Sequence, residues 1–174
     1  FTGDDIRHGQ AVFLRYGLHD NGTVWGHGAY LGPDFSADYL HQVALETRRL
    51  NPYMQMDEIN RLAKTNRYDE VTGVLVMDDA QTAVFAEAPG YWKTYFSKPE
   101  NNGGLRHDLI SDETELHQLS AFFAWSAWAC SANRPGEDYS YTNNFPYEPV
   151  IDQGPSDALT VWSVASLLFL LMGI

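Results

Sequence analysis

The sequence contains a single cysteine, Cys130, among its 174 residues. One thiol excludes an internal disulfide, a cysteine-rich zinc site and a covalently attached c-type haem, which requires the motif C-x-x-C-H. The motifs G-x-S-x-G and H-E-x-x-H are also missing, so neither a nucleophile elbow nor a zincin helix is expected. The lone thiol assigns no compartment, because a domain without disulfides can lie on either side of a membrane.

Basic residues are scarce as well. Eleven Lys and Arg stand against 23 Asp and Glu, which gives a formal net charge of −12. Phosphate backbones and anionic lipids both attract Lys and Arg, so this balance argues against a nucleic-acid partner and against adhesion to anionic lipid. The content of 44% hydrophobic and 14% aromatic residues excludes intrinsic disorder. The length fits one domain with a short appendage.

Positive charge is absent from the whole segment between Pro135 and Ile174. Within it, Leu159 to Ile174 carries no charge of either sign and is apolar around the full circumference of a helix. Such a helix would span about 24 Å of the roughly 30 Å hydrocarbon core of a bilayer. We therefore expect residues 156–174 to be the start of a truncated transmembrane helix. Its flank would be extracytoplasmic, because cytoplasmic flanks are rich in Lys and Arg. A buried C-terminal core helix is the alternative.

Residues 1–155 are predicted to form a mainly α domain. Apolar spacing and capping residues predict helices that begin at Thr2 or Asp4, at Asp34 or Ser36, at Asp57, at Asp79 and at Asp112. Glu115 stands three residues after Asp112, in the position of a capping-box partner. The glycine-rich stretch from His19 to Pro33 is predicted to be a loop.

Two features depart from this helical pattern. The β-branched residues between Val71 and Met77 predict a short β segment within residues 71–86. The pair Pro89-Gly90 is expected to interrupt the helix that runs from Asp79 to Ser97, because proline removes a backbone donor and glycine is a weak helix former.

Few side chains suggest chemistry. His19, Asp20 and His27 lie in the glycine-rich loop, and two His with a carboxylate can bind a transition metal. Their spacing matches no known ligand pattern, so a structural role in the loop is favoured. No nucleophile–base pair or closed metal site is visible, and therefore no catalytic residue is predicted in this chain.

An aromatic stretch follows Asp112 and contains Phe122, Phe123, Trp125 and Trp128. Aromatic residues at helical spacing belong more often to a core than to a cofactor site. Cys130, two residues later than Trp128, is predicted to be buried and inert.

Four strings are more specific: G-H-G-A-Y-L-G-P-D-F (Gly26–Phe35), A-F-F-A-W-S-A-W-A (Ala121–Ala129), N-R-P-G (Asn133–Gly136) and D-Y-S-Y-T-N-N-F-P-Y (Asp138–Tyr147). They resemble the N-terminal part of quinol-dependent nitric oxide reductase, a single-chain, membrane-bound relative of the haem-copper oxidases. In that family an outward-facing hydrophilic domain lies between the first membrane helix and the catalytic helical bundle. The resemblance covers nearly the whole chain.

The resemblance implies a cytochrome c-like domain that has lost its haem. In the small subunit of the two-subunit relatives, C-x-x-C-H stands just before G-x-G-A-Y. Alignment on Gly26–Tyr30 places the attachment cysteines at Leu18 and Asn21, and the axial histidine at Gly22. None of these three residues can attach or ligate haem. We therefore expect no haem to bind and side chains to fill the volume of the porphyrin.

The resemblance also implies a function for the longer protein. Its membrane part would reduce two NO to N2O with electrons from a membrane quinol, using haem b, haem b3 and a non-haem iron. This domain would be a structural cap on the periplasmic side of the cytoplasmic membrane, with its own membrane-embedded catalytic domain as partner. The alternative is a non-catalytic docking or assembly module whose acidic surface steers a basic electron carrier.

A calcium site is implied as well. In the two-subunit relatives the G-A-Y segment contributes ligands to a calcium ion that bridges haem propionates, and the matching residues here are Gly28 and Tyr30. Backbone carbonyls are suitable calcium ligands. We expect the ion in the full-length enzyme and not in this chain alone. The alternative is that the glycines merely allow a tight turn.

Overall fold

The computed structural model describes residues 1–173, apart from the side chain of Asn101. Within this range the α-helices are α1 (Gly3–Arg15), α2 (Phe35–Leu50), α3 (Met56–Lys64), α4 (Asp79–Ser97), α5 (Glu113–Ser131) and α6 (Asp157–Met172). The short strands are β1 (Thr23–Val24), β2 (His27–Gly28), β3 (Tyr68–Asp69) and β4 (Val74–Leu75), and 3-10 helices form at Leu18–Asp20 and Pro99–Asn101. The prediction of a mainly α domain is confirmed.

Polar side chains start the helices at the predicted places. Thr2 accepts a hydrogen bond from the Asp5 amide at 3.2 Å, and the Asp5 carboxylate accepts one from the Thr2 amide at 2.7 Å. Asp34 caps α2 by accepting from the Ala37 amide at 2.8 Å. These bonds satisfy backbone donors that the first turn of a helix leaves unpaired.

Helix α5 is the centre of the core and packs against α1, α2 and α4. The Phe123 ring stacks on Phe35 of α2, with ring centroids 4.8 Å apart, and meets the edge of Trp92 of α4 at the same centroid distance. All three side chains are fully buried. Stacked and edge-to-face aromatic pairs add to the free energy of burial, so this cluster fixes how the three helices meet.

The predicted strand over residues 71–77 is shorter in the structure. Only Val74–Leu75 is extended, and it pairs antiparallel with Tyr68–Asp69. The Asp69 side chain explains the difference, because it accepts hydrogen bonds from the amide of Val71 at 2.9 Å and from the Thr72 hydroxyl at 2.7 Å. These bonds build a turn in the first half of the expected strand. Residues 79–86, the end of the predicted β segment, belong to α4.

The predicted interruption at Pro89-Gly90 is wrong, since α4 continues through both residues. Ala88, Trp92 and Phe96 lie on both sides of the proline and are all buried against the core. Their burial holds the two halves of the helix in one line and offsets the lost backbone hydrogen bond, which would destabilise an exposed helix by about 3 kcal/mol.

Glu115 is not a capping-box partner of Asp112. Asp112 accepts a hydrogen bond from the Glu115 amide at 3.0 Å, as an N-cap does. The Glu115 carboxylate instead accepts from the Tyr16 hydroxyl at 2.8 Å and from the Arg15 guanidinium. This carboxylate therefore joins the end of α1 to the start of α5.

Helix α6 extends away from the core. It has no buried residue, and Trp162, Phe169 and Met172 are each about 70% exposed (71%, 69% and 74%). The alternative of a buried C-terminal core helix is therefore wrong. Within residues 1–173, no helix is both long and apolar enough to cross a membrane.

Candidate functional site

The residues that the sequence aligned with a haem-attachment motif lie in a short 3-10 helix after α1 and in the turn that follows it. Leu18 is completely buried in the hydrophobic core, and Asn21 is 3% exposed. Gly22 is buried as well. The segment is thus an interior part of the domain, with each of the three positions already in contact with protein.

Asn21 forms a polar link between two loops. Its Nδ2 donates to the backbone carbonyls of Asn102 and Gly103, at 3.2 and 3.1 Å. Its own carbonyl accepts from the amides of Leu31 and Gly32, at 3.0 and 2.7 Å. Asn21 therefore fastens the glycine-rich loop to the turn after α4.

Gly22 and Gly28 allow the backbone to approach itself closely. A Cβ atom on Gly22 would lie 2.3 Å from the carbonyl oxygen of Pro33 and 2.8 Å from Cε2 of Phe35. A Cβ on Gly28 would lie 2.3 Å from the carbonyl oxygen of Gly22, and Gly28 has a φ of +141°. Both distances are far below van der Waals contact, so only glycine fits at either position.

A c-type haem does not fit these residues. The side chains of Leu18 and Asn21 cannot form thioether bonds. A histidine at position 22 has no room, because the first carbon of its side chain would overlap Pro33 and Phe35. The interior around this segment is filled instead by the stacked rings of Phe35 and Phe123 and by Trp92.

Asp34 organises the rest of the glycine-rich loop. Its Oδ2 accepts hydrogen bonds from the Thr23 hydroxyl and the Gly26 amide, both at 2.7 Å. Its Oδ1 caps α2 and also accepts from the Ser36 hydroxyl. One carboxylate thus positions the β1–β2 hairpin against the start of α2, and its four accepted bonds leave little capacity for a metal ion.

The predicted calcium residues lie at the surface. Gly28 is exposed, and Tyr30 is 85% exposed. Their carbonyls could supply two of the roughly six to eight oxygen ligands that calcium takes. The residues that the structure describes contain no cluster of three or more His, Cys, Asp or Glu able to hold a metal. The donor set is compatible with calcium only if other ligands come from elsewhere.

The two imidazoles of the loop do not converge on Asp20. His19 Nε2 lies 3.4 Å from Asp20 Oδ1. The His27 ring instead faces its own hairpin, with Nδ1 2.9 Å from the carbonyl of Trp25. His27 and Asp20 therefore do not act as a shared ligand pair in this arrangement.

Cys130 is fully buried in α5 and its thiol donates to the Ser126 carbonyl at 3.2 Å. Burial raises the pKa of this thiol to about 12. Burial likewise raises the pKa of the Tyr95 hydroxyl to about 12, with the nearby Asp38 carboxylate adding to the effect. A thiol that stays protonated at neutral pH is a poor nucleophile, in agreement with the prediction that Cys130 is inert.

Two of the family-like strings meet at one surface. The Phe145 ring packs on Gly26, where an added Cβ would lie 2.8 Å from Cε1 of the ring. In the same segment, Asn144 Nδ2 donates to the Gly154 carbonyl at 2.9 Å. The Ser156 amide, at the N-cap of α6, donates to the Asn143 carbonyl at 3.3 Å. The glycine-rich loop, the segment around Phe145 and the start of α6 are therefore continuous.

A second feature is not evident from the sequence. A cleft of about 700 Å³ opens beside this surface, and we call it the aromatic cleft. Its aromatic lining consists of Phe1, Trp25, Tyr68, Trp125, Trp128 and Tyr141. Trp125 and Trp128 were expected in the core but are only half-buried. Nothing in the sequence distinguishes them from Phe122 and Phe123, because the core completes only part of the circumference of α5.

Comparison with known proteins agrees with the fold. A family model that describes the cytochrome c-like domain of the nitric oxide reductase protein NorB matches residues 1–147. A search among curated proteins finds no significant match.

Proposed function

Since the chain belongs to the NorB cytochrome c-like domain family of nitric oxide reductases, we propose that it is the haem-free, outward-facing domain of a quinol-dependent, single-chain nitric oxide reductase. The membrane association of such an enzyme places the domain beside a bilayer. In this proposal the domain is a structural cap on the periplasmic side of the cytoplasmic membrane, and its partner is the membrane-embedded catalytic part of the same protein.

The structure at positions 18, 21 and 22 carries the proposal. Leu18 is a core residue, Asn21 fastens two loops, and Gly22 has no room for a side chain. A domain built in this way cannot receive electrons through a c-type haem. The electrons then have to reach the catalytic part by another route, and a membrane quinol is the donor that needs no haem in this domain.

The proposed reaction is balanced by one quinol. Two molecules of NO and one quinol give N2O, water and quinone, so that two N–O groups lose one oxygen to water and the quinol supplies two electrons and two protons. The membrane part would hold the haem b, haem b3 and non-haem iron for this chemistry. The residues of this chain contribute no step to it, and we assign them to support.

The position of α6 supports the role of a cap. The helix is apolar on all sides, has no buried residue and follows directly on the segment that contacts the glycine-rich loop. Tyr30, at 85% exposure, and Leu31, at 73%, belong to that loop. Exposed apolar residues of this kind mark a surface for a membrane or protein partner, and we propose that the membrane part covers it. Gly28 and Tyr30 would then supply calcium ligands to a site completed by that part.

The test uses the complete enzyme that contains this domain. NO consumption is measured with an electrode, first with a reduced quinol analogue and then with reduced cytochrome c as the sole donor. We expect turnover with the quinol only, and no covalent haem in a peroxidase-stained denaturing gel. Turnover with cytochrome c alone would favour the docking-module alternative, and a covalent haem on this chain would overturn the proposal.

Calcium is tested separately by metal analysis. We expect calcium in the complete enzyme and none in the 174-residue chain. If the complete enzyme also lacks calcium, or if a rebuilt loop at Gly28 and Tyr30 leaves its content unchanged, the two residues have only a structural role.

A further inference from the structure

The aromatic cleft has no role in the cap described above. Its volume of about 700 Å³ lies within the range of roughly 300–1,000 Å³ that is usual for small-molecule sites. It is bounded by the N-terminal end of α1, the second half of α5, the β3–β4 hairpin and the segment around Tyr141. Four separate parts of the fold therefore converge on it.

The walls of the cleft are flat rings. Trp25 and Trp125 have centroids 5.4 Å apart, Trp128 and Tyr141 are 5.2 Å apart, and Tyr68 lies 6.5 Å from Trp128. None of the side chains described as lining the cleft is charged at neutral pH. Such walls stack on another flat, uncharged ring and offer nothing to an ion.

The rims of these rings carry unused donors. Within residues 1–173, the indole N–H groups of Trp125 and Trp128 donate to no protein acceptor, and neither is sealed from solvent. The Tyr141 hydroxyl accepts a hydrogen bond from Asn66 at 3.1 Å, so its own hydrogen is available. The cleft thus offers several donors and is matched by a molecule that brings acceptors.

Trp25 is held in place at a backbone cost. Its φ of +54° lies in the left-handed region, which a bulky residue rarely adopts. Its amide donates to the Ser36 hydroxyl at 3.0 Å, and its indole N–H donates to the Ser126 carbonyl at 2.9 Å. Both bonds fix the ring as a rigid wall of the cleft, which lowers the entropy lost when a ligand stacks on it.

We infer that the aromatic cleft is a binding site for a planar, uncharged ring that carries a carbonyl-type hydrogen-bond acceptor. The rings of Trp25, Trp125 and Trp128 stack on the faces of the ligand, and the free indole N–H groups bind its acceptor. This inference rests on the geometry of the cleft alone and does not depend on the electron donor of the complete enzyme.

The test compares two probes of the same shape. 9-Fluorenone and fluorene are both flat and tricyclic, but only fluorenone has a carbonyl oxygen. Each is titrated into the 174-residue chain in detergent micelles, and the indole N–H signals are followed by ¹⁵N NMR. We expect fluorenone to shift the signals of Trp125 and Trp128. We expect fluorene to bind about three- to tenfold more weakly, the value of one neutral hydrogen bond.

Substitutions assign the effect to the cleft. Trp128→Phe and Trp125→Phe each keep an aromatic ring but lose the N–H, and they should bring the affinity for fluorenone close to that for fluorene. The matched control is Trp162→Phe, because Trp162 lies in α6 outside the cleft, and it should bind fluorenone as the wild type does. Equal binding of the two probes, shifts at Trp162 alone, or no binding up to the solubility limit would each overturn the inference.

Discussion

The side-chain amide of Asn21 donates a hydrogen bond to the backbone carbonyl of Asn102 over 3.2 Å, joining residues that are 81 positions apart. A second bond from the same nitrogen reaches the Gly103 carbonyl. In a haem-bearing relative the corresponding position would tie the chain to the porphyrin. Here the same position ties the glycine-rich loop to the turn after α4, so a contact within the protein takes the place of an attachment to a cofactor.

Asn21→Ala should destabilise the domain by about 2 kcal/mol, because two buried carbonyls lose their donor. Asn21→Asp keeps the shape of the side chain but faces those carbonyls with oxygen atoms, so it should cost at least as much. Urea denaturation followed by circular dichroism measures both values. An Asp variant as stable as the wild type would show that the bonds to Asn102 and Gly103 contribute nothing.

Gly22→Ala should also be destabilising, by about 1–3 kcal/mol or more, because the added methyl group overlaps Pro33 and Phe35. Gly90→Ala is the matched control. Gly90 lies inside α4 and an added Cβ would meet open space, so this change should be stabilising by up to about 1 kcal/mol. Thermal melts of the two variants should move in opposite directions. If both move upwards, the close approach at Gly22 is not tight in solution.

The Cys130 thiol should react slowly with iodoacetamide at pH 8 and rapidly once the protein is unfolded in urea, because burial raises its pKa to about 12. The same shift makes stability depend on pH. An unfolded thiol loses its proton above about pH 8.5, whereas the folded thiol keeps it, so the free energy of unfolding falls as pH rises through that value.

Urea melts between pH 8 and 9.5 measure this slope, and Cys130→Ala should remove the part that belongs to the thiol. The upper limit avoids the ionisation of unfolded tyrosines near about pH 10. Fast alkylation of the folded protein, or an unchanged slope in the variant, would contradict the burial of Cys130.

Deletion of residues 157–174 should leave the melting temperature within about 2 °C of the full chain, since α6 buries no side chain. The shortened chain should also stay in solution without detergent, because the deleted helix exposes Trp162, Phe169 and Met172. Analytical ultracentrifugation and circular dichroism check the two expectations. A drop of several kcal/mol on deletion would mean that α6 packs on the domain after all.

The helical domain follows largely from local chemistry. Thr2, Asp34 and Asp112 each accept a backbone hydrogen bond at a helix start, and this depends on only a few neighbouring residues. The absence of C-x-x-C-H is likewise a property of the sequence alone, as is the apolar run after Ser156. Local signals of this kind determine where elements begin and what a motif cannot do.

Other features depend on residues that are distant in the chain. Pro89 remains inside α4 because Trp92 and Phe96 are buried against other helices, and Glu115 leaves its capping position for Arg15 and Tyr16. No local pattern records such partners, because their free energy exists only once the helices have packed.

The two sites divide in the same way. The sequence by itself determined that Leu18, Asn21 and Gly22 cannot attach haem. Only the tertiary structure decided that Asn21 joins two loops and that Trp125 and Trp128 face a cleft instead of the core. The physical reason is that burial belongs to a side of α5, and which side is covered depends on where α1, α2 and α4 lie.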